Sequence, residues 1–341
     1  MDSPAPLAFL LLAALPAAGQ LRLEKTIPLP RVEGRIDHLA ADVEGRRLFV
    51  AALGNNTLEV LDLKAGAHAA SIGGPDEPQG VAFIPALNRI FVANGGDGKC
   101  RVFDGDTLKP VGETDFSSDA DNLRYDAARN VLYVGYGEGA LGIVGLRGAK
   151  ASGTIKLDAH PESFRLEKSG PRIFVNVPNA GQIAVIDRER RAVLAKWPVT
   201  AAAANFPMSL DEAGHRLFIG CRKPARVLVF DTTTGKMTAA FTCVGDTDDL
   251  FYDEARKRLY VSGGEGALDV FGDAGSGSFT LLKKLQTASG ARTSLFVPAF
   301  NRLFLAVPRG GVAGQLAPRV FAATACKRWP SSRAHRSRRR Q

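Results

Sequence analysis

The sequence predicts an all-β protein, a seven-bladed β-propeller of four-stranded antiparallel blades, and three periodic features carry that prediction. The first is an apolar triplet centred on an aromatic residue, at Phe49, Phe91, Tyr133, Phe174, Phe218, Tyr260 and Phe304, in steps of 42, 42, 41, 44, 42 and 44 residues. Repeats of this size belong to stacked or radial arrays. The second is an apolar pair about a dozen residues further on, from Val60-Leu61 in the first unit to Val320-Phe321 in the last. The third is a polar-to-apolar switch eleven residues before each aromatic, at His38, Gly80, Asn122, Ser163, Pro207, Asp249 and Thr293.

The first unit shows the order of elements. Ile36 to Asp42 reads as a short strand, Val43-Glu44-Gly45 as a turn, and Arg47 to Ala52 as a β-rich run. Gly54-Asn55-Asn56 supplies residues that tolerate positive φ, Thr57 to Leu63 returns, and Ala67 to Ile72 forms a weaker fourth strand. Four short strands without helical periodicity match a propeller blade. The units fall near 35–74, 75–116, 117–157, 158–200, 201–244, 245–286 and 287–322, within a propeller spanning 20–322. Leu21 to Leu29 precedes the first unit and resembles a fourth strand, whereas none follows Val320. The segment 21–29 is therefore expected to join the last blade and close the ring.

The ends differ from the body. Residues 1–19 carry an apolar run, Leu7 to Leu15, then Ala17-Ala18-Gly19, the pattern of a secretory signal peptide too short to span a bilayer. The net charge of +9 is an end effect, because no acidic residue follows Asp273 and the chain up to that point sums to −4. Residues 323–341 read as a disordered basic tail, and Arg309 to Ala317 lengthens the last hairpin. Cys100, Cys221, Cys243 and Cys326 lack metal-ligand spacing; Cys221 and Cys243 share a repeat, but free buried thiols are expected.

Arginine stands two positions before the aromatic in six units, and aspartate follows fifteen residues later in five of them, as in Arg47 and Asp62. An antiparallel return would set these opposite one another, so cross-strand ion pairs are expected. The stretches RIFVANGGDGKCRVFDGDT (89–107), RIFVNVPNAGQIAVIDRER (172–190) and RLFIGCRKPARVLVFDTTTG (216–235) are similar to the YVTN-type β-propeller repeats of YncE-like proteins. The resemblance runs from about Leu21 to Val307. It implies an exported bacterial propeller, periplasmic or secreted, with DNA binding proposed for some relatives and no catalytic residues to carry over.

Loops leading into the innermost strands share one face of a propeller, where concave scaffolds take ligands. Asp37, His38, Gln79, Asp121, Asn122, Glu162, Asn205, Asp248, Asp249 and Arg292 are expected there, with Arg124 and Arg165 slightly deeper. Hairpins on the same face add Asn55, Asp97, Arg222 and Glu265. These residues support three readings. They could simply bond their own turns. They could line a pocket for a small molecule, peptide or protein partner, with Arg124, Arg165 and Arg292 gripping an anionic group through forked hydrogen bonds. Or Asp37, Asp121, Glu162, Asp248 and Asp249 could hold Ca²⁺ or Mg²⁺, with His38 as general base in a metal-assisted hydrolase or lyase. A binding platform is the preferred function, the enzyme the alternative, and nucleic-acid or anionic-surface binding through the basic tail the third. The glycine-rich GGDG (95–98) and GGEG (263–266) precede strands, not helices, so they are turns rather than phosphate loops.

Overall fold

In the computed structural model, which describes residues 21–146, 148–275, 277–308 and 317–323, the chain forms seven four-stranded antiparallel sheets. The signal peptide over 1–19, the hairpin extension 309–316 and the tail beyond Ala323 lie outside the described residues; Ala323 itself ends the last strand. Blades 1 to 6 span residues Leu39 to Gly73, Pro78 to Asp115, Ala120 to Lys156, Phe164 to Pro198, Ala203 to Thr242 and Thr247 to Gln286, each in simple strand order. The seventh is composite. Its strands Ser294–Val297, Arg302–Leu305 and Arg319–Ala323 are completed by Leu21–Thr26, which runs antiparallel to the third with Leu21 opposite Ala323. The segment 21–29 closes the ring as expected. Among the described residues, no helix is long and apolar enough to cross a membrane.

The apolar triplets explain why blades stack into a ring. Successive side chains of a strand point to opposite faces of its sheet. Leu48 and Val50 therefore pack with Phe304 of blade 7, while Phe49 between them packs with Ile90 and Phe103 of blade 2. The arrangement repeats around the molecule: Phe91 meets blade 3, Tyr133 blade 4, Phe174 blade 5, Phe218 blade 6 and Tyr260 blade 7. Seven hydrophobic clusters result, one in each gap between blades. All seven aromatic side chains are buried, each stabilising its interface by about 1.5–3 kcal/mol.

The periodic arginines and aspartates play other parts than the expected cross-strand pairs. Arg47, Arg89, Arg172 and Arg216 do stand opposite Asp62, Asp104, Asp187 and Asp231, whereas Arg258 faces Gly272. Of these, the Arg89–Asp104 pair closes, at 2.7 Å. The aspartates sit at the head of the outer hairpin and accept its backbone N–H groups first; Asp62 takes those of Lys64 at 2.7 Å and Ala65 at 3.0 Å. Asp231 does the same for Thr233 and Thr234, and Asp187 for Glu189 and Arg190.

The arginines turn instead to acids on the innermost strand and reach into the next blade. Arg47 pairs with Asp42 at 2.9 Å and donates to the Gly105 carbonyl of blade 2. Arg172 pairs with Glu167 and donates to the Thr232 carbonyl of blade 5. Arg216 binds Asp211 at 2.6 Å and Asp273 of blade 6 at 2.7 Å, lying over the Phe218 ring. Blade 3 has no such arginine, and Arg188 of blade 4 bridges back to Asp126 at 3.1 Å. Cys100, Cys221 and Cys243 are free and buried, and burial pushes each thiol up to about 12.

Arg216→Ala should cost about 3 kcal/mol in urea denaturation, because it strands two buried carboxylates. Arg190→Ala, which removes an exposed arginine 3.6 Å from an Asp187 already held by backbone N–H groups, should cost about 0.5 kcal/mol or less. Burial disfavours a charge on Asp273, but Arg216 and Tyr252 outweigh it and hold the carboxyl down at about 2. A depressed carboxylate stabilises the fold above its unfolded pKa, so this contribution is complete above about pH 4 and fades as pH falls towards 2. Asp273→Asn should flatten that window in denaturation midpoints measured from pH 6 to 2.

Candidate functional site

One repeat position builds the channel mouth. Twelve residues before the aromatic stand Asp37, Gln79, Asp121, Glu162, Phe206, Asp248 and Arg292, and all seven line a cavity of about 210 Å³. Arg35, His38, Asp119, His160 and Arg222 fill the spaces between them.

The backbone reason is a bulge at the start of the innermost strands. Asp37 donates its N–H to the Ala51 carbonyl at 2.8 Å, while Ala51 donates to the carbonyl of His38 at 3.0 Å, so two residues oppose one. Glu162 and Ser163 face Asn176 in the same way. The ladders of blades 2, 3, 5 and 6 shift register at Pro78/Val81, Ala120/Leu123, Asn205/Met208 and Thr247/Asp249. Strict alternation would send one of two neighbouring side chains into the blade. A bulge re-aims them, and so both Asp37 and His38 border the channel. At Gly80 an added Cβ would lie 2.1 Å from the Asp121 carbonyl oxygen, so blade 2 has room there for no side chain.

The mouth is a mixed-charge network. Asp37 takes a hydrogen bond from Arg35 at 2.7 Å and lies 3.6 Å from His38 Nε2. His38 Nδ1 approaches Asp249 at 3.7 Å, and Asp249 accepts the Ser294 N–H at 2.7 Å. Asp248 holds Arg222 at 2.5 Å and Arg292 at 3.3 Å, while Arg292 also binds Asp246 at 2.8 Å. Arg222 lies over the Phe206 ring, 3.8 Å from its centroid. His160 bonds the Gly137 carbonyl at 2.6 Å and sits near Asp119 and Asp121. The Glu162 carboxyl has no hydrogen bond or ion pair among the described residues.

These contacts set the protonation states. Burial works against charge on both histidines, yet Asp249 and Asp37 lift His38 to about 10, and Asp121, Gly137 and Asp119 lift His160 to about 9. Both rings are cationic at neutral pH, so His38 does not offer the free nitrogen of a general base. Burial raises Asp37 to about 7, against the pull of His38 and Arg35. It raises Glu162 to about 8, helped by the neighbouring charge of Asp121, and it raises Asp248 too. Asp121 moves the other way: burial is outweighed by His160 and His38.

Below the mouth a second chamber of about 470 Å³ opens, bordered by His38, Asp249, Arg124 and Arg165 and walled by Phe83, Tyr125, Phe251 and Leu295. Arg124 and Arg165 occupy one position in blades 3 and 4, opposite Tyr133 and Phe174. Their bonds go to backbone: Arg124 donates to the Phe164 carbonyl at 3.1 Å and the Leu123 carbonyl at 2.6 Å, Arg165 to Phe164 at 3.2 Å. Neither forms a salt bridge among the described residues. Burial lowers Arg124 to about 10 and Arg165 to about 9, and the Arg124 charge adds to the second shift.

The structure thus gathers Asp37, His38, Gln79, Asp121, Glu162, Asp248 and Arg292 at the mouth, and Asp249, Arg124 and Arg165 below it. Two expected residues face elsewhere. Asn205 is buried and donates to Asn176 Oδ1 and the Gln182 carbonyl, tying blade 5 to blade 4; Asn122 is buried and donates to Asp121. Arg292 is engaged by Asp246 and Asp248 at the mouth, apart from Arg124 and Arg165. Of the hairpin residues, Arg222 reaches the cavity, Asp97 binds Arg101 and Glu265 accepts the Gly245 N–H. Among the described residues, no three His, Cys, Asp or Glu side chains are placed to hold a metal ion. Asp37, Asp121, Glu162, Asp248 and Asp249, expected to gather around Ca²⁺ or Mg²⁺, do not form such a cluster. Arg35, Asp119 and His160 were outside the expected set, yet all stand fourteen residues before the aromatic, a column the repeat itself reveals.

In an NMR titration both imidazoles should stay protonated from pH 6 to 8, and Asp249→Asn should lower the His38 pKa by about one unit or more. A His38 ring titrating near its ordinary value in the wild type would contradict the ion pairing described.

No protein-family model matches the chain, and no curated protein does. Solved structures do match in fold. A chain of the "Crystal Structure of Mitotic Checkpoint Complex" aligns with TM-score 0.75 and 13% identity, covering 95% of this chain and 98% of that one. A chain of the Kuenenia stuttgartiensis hydrazine synthase aligns with TM-score 0.73 and 13% identity, covering 87% and 98%. The likeness is one of architecture: a seven-bladed propeller.

Proposed function

We propose that this chain is a binding propeller whose channel takes a small anionic molecule. The observation that carries the reading is the pair Arg124 and Arg165, two cationic guanidiniums bordering a chamber and forming no salt bridge among the described residues. A guanidinium left half-solvated in a narrow cavity gains most from a forked bond to a carboxylate or phosphate. The walls of Phe83, Phe251 and Leu295 favour an organic anion over a bare ion. We take the chain as an exported YVTN-type, YncE-like protein, periplasmic or secreted, a reading supported by its repeat grammar and its apolar leader.

The fold neighbours include both a component of an assembly and an enzyme, so architecture does not choose between binding and catalysis. The ion-paired carboxylates and the cationic His38 favour binding. A peptide or a protein segment could present the same anionic group to the channel.

Isothermal titration with hexanoate tests the reading. The wild type should bind, the Arg124→Ala/Arg165→Ala variant should lose about ten-fold or more, and Arg292→Ala should change little. Equal affinity in the double variant, or no binding of hexanoate, succinate or phosphate by the wild type, would overturn it.

A further inference from the structure

The mouth and the chamber hold an acid and two guanidiniums without salt-bridge partners among the described residues, on the two sides of His38. His38 borders both cavities and so stands between them. Below it, Arg124 and Arg165 spend their bonds on backbone carbonyls and meet no carboxylate. Above it, Glu162 faces the cavity without a bond, while Asp37, Asp121 and Asp248 each hold a cation or an amide. We infer that the occupant is a zwitterion with separated charges, an ω-amino acid or a short peptide, its carboxylate on Arg124 and Arg165 and its ammonium on Glu162. The inference rests on the anion-binding reading of the channel and adds the second charge.

Length follows from the backbone. Glu162 lines the mouth and Arg165 the chamber beneath it, with the bulged backbone at 162–163 between them, so their charged ends are met from different cavities. An α-amino acid, whose charges flank a single carbon, is too short to meet both groups. The protonation of Glu162 agrees with a waiting cation site. Burial and the charges of Asp121 and Asp248 raise its carboxyl to about 8 against His160 and His38, so at pH 7 it carries a proton. An arriving ammonium would displace that proton and take its place.

The experiment is a calorimetric comparison of hexanoate, 6-aminohexanoate, triglycine and glycine on the full chain at pH 7. In the wild type, 6-aminohexanoate or triglycine should bind about ten-fold or more tighter than hexanoate, with proton release seen as a buffer-dependent heat, and glycine should bind weakest. Glu162→Gln should erase the gain and the proton release while leaving hexanoate unchanged. The Glu162 carboxyl has no hydrogen bond or ion pair among the described residues to lose, and an unchanged thermal midpoint confirms that the variant folds. The tighter of the two long zwitterions identifies the source, peptide or ω-amino acid. Hexanoate bound as tightly as both zwitterions, or a gain that survives Glu162→Gln, overturns this inference and leaves anion binding intact. Failure of every probe to bind overturns both.

Discussion

Both faces of every sheet in this protein are apolar, and that constraint shapes everything else. Within the triplet at residues 48–50, two aliphatic side chains face one neighbour and the aromatic faces the other. No blade can serve as an end, because an end blade would expose one of its two apolar faces to water. The ring is the arrangement in which each face is covered. Leu21–Thr26 pairing with Arg319–Ala323 supplies the last backbone ladder, and the arginines that cross between blades add directional ties to a packing that is otherwise non-directional.

What could be read from the sequence follows from that same constraint. Periodicity in apolar residues reports packing, and packing fixed the number of blades, their strand order and the closing segment. It also placed a polar column at the channel, since that column keeps step with the aromatics. Side-chain direction was a different matter. Asp62 and Arg47 oppose one another in the ladder, yet the aspartate is captured by the amides of its own hairpin and the arginine by Asp42. Register is written in the sequence; the competition among nearby donors is settled only in three dimensions. Asn205 shows a second limit: it stands one residue before the column, where Phe206 takes the channel place, and is turned into the seam between two blades. Arg35, Asp119 and His160 lie in connecting loops, where composition carries no hydrophobic rhythm, although their common spacing from the aromatics can be counted.

The channel separates its charges along the axis. At the mouth, five acidic side chains stand among three arginines and two imidazoliums, and burial holds Glu162 in its protonated form. One layer down, two arginines face a single aspartate and an imidazolium. Low dielectric makes such an imbalance strongly felt at close range. The molecule therefore presents a mixed-charge rim above a cationic floor, which suits capture of something small enough to pass the rim.

The bulges at the heads of the innermost strands have a consequence for how this protein can diversify. They place the mouth residues where the hydrogen-bond ladder is already interrupted, so exchanging Gln79 or Phe206 for another side chain disturbs no regular pairing. Each blade contributes its own tooth to the aperture, and a tooth can be recut without retooling the wheel. Seven such positions, altered independently, would let one unchanged architecture acquire very different chemical tastes.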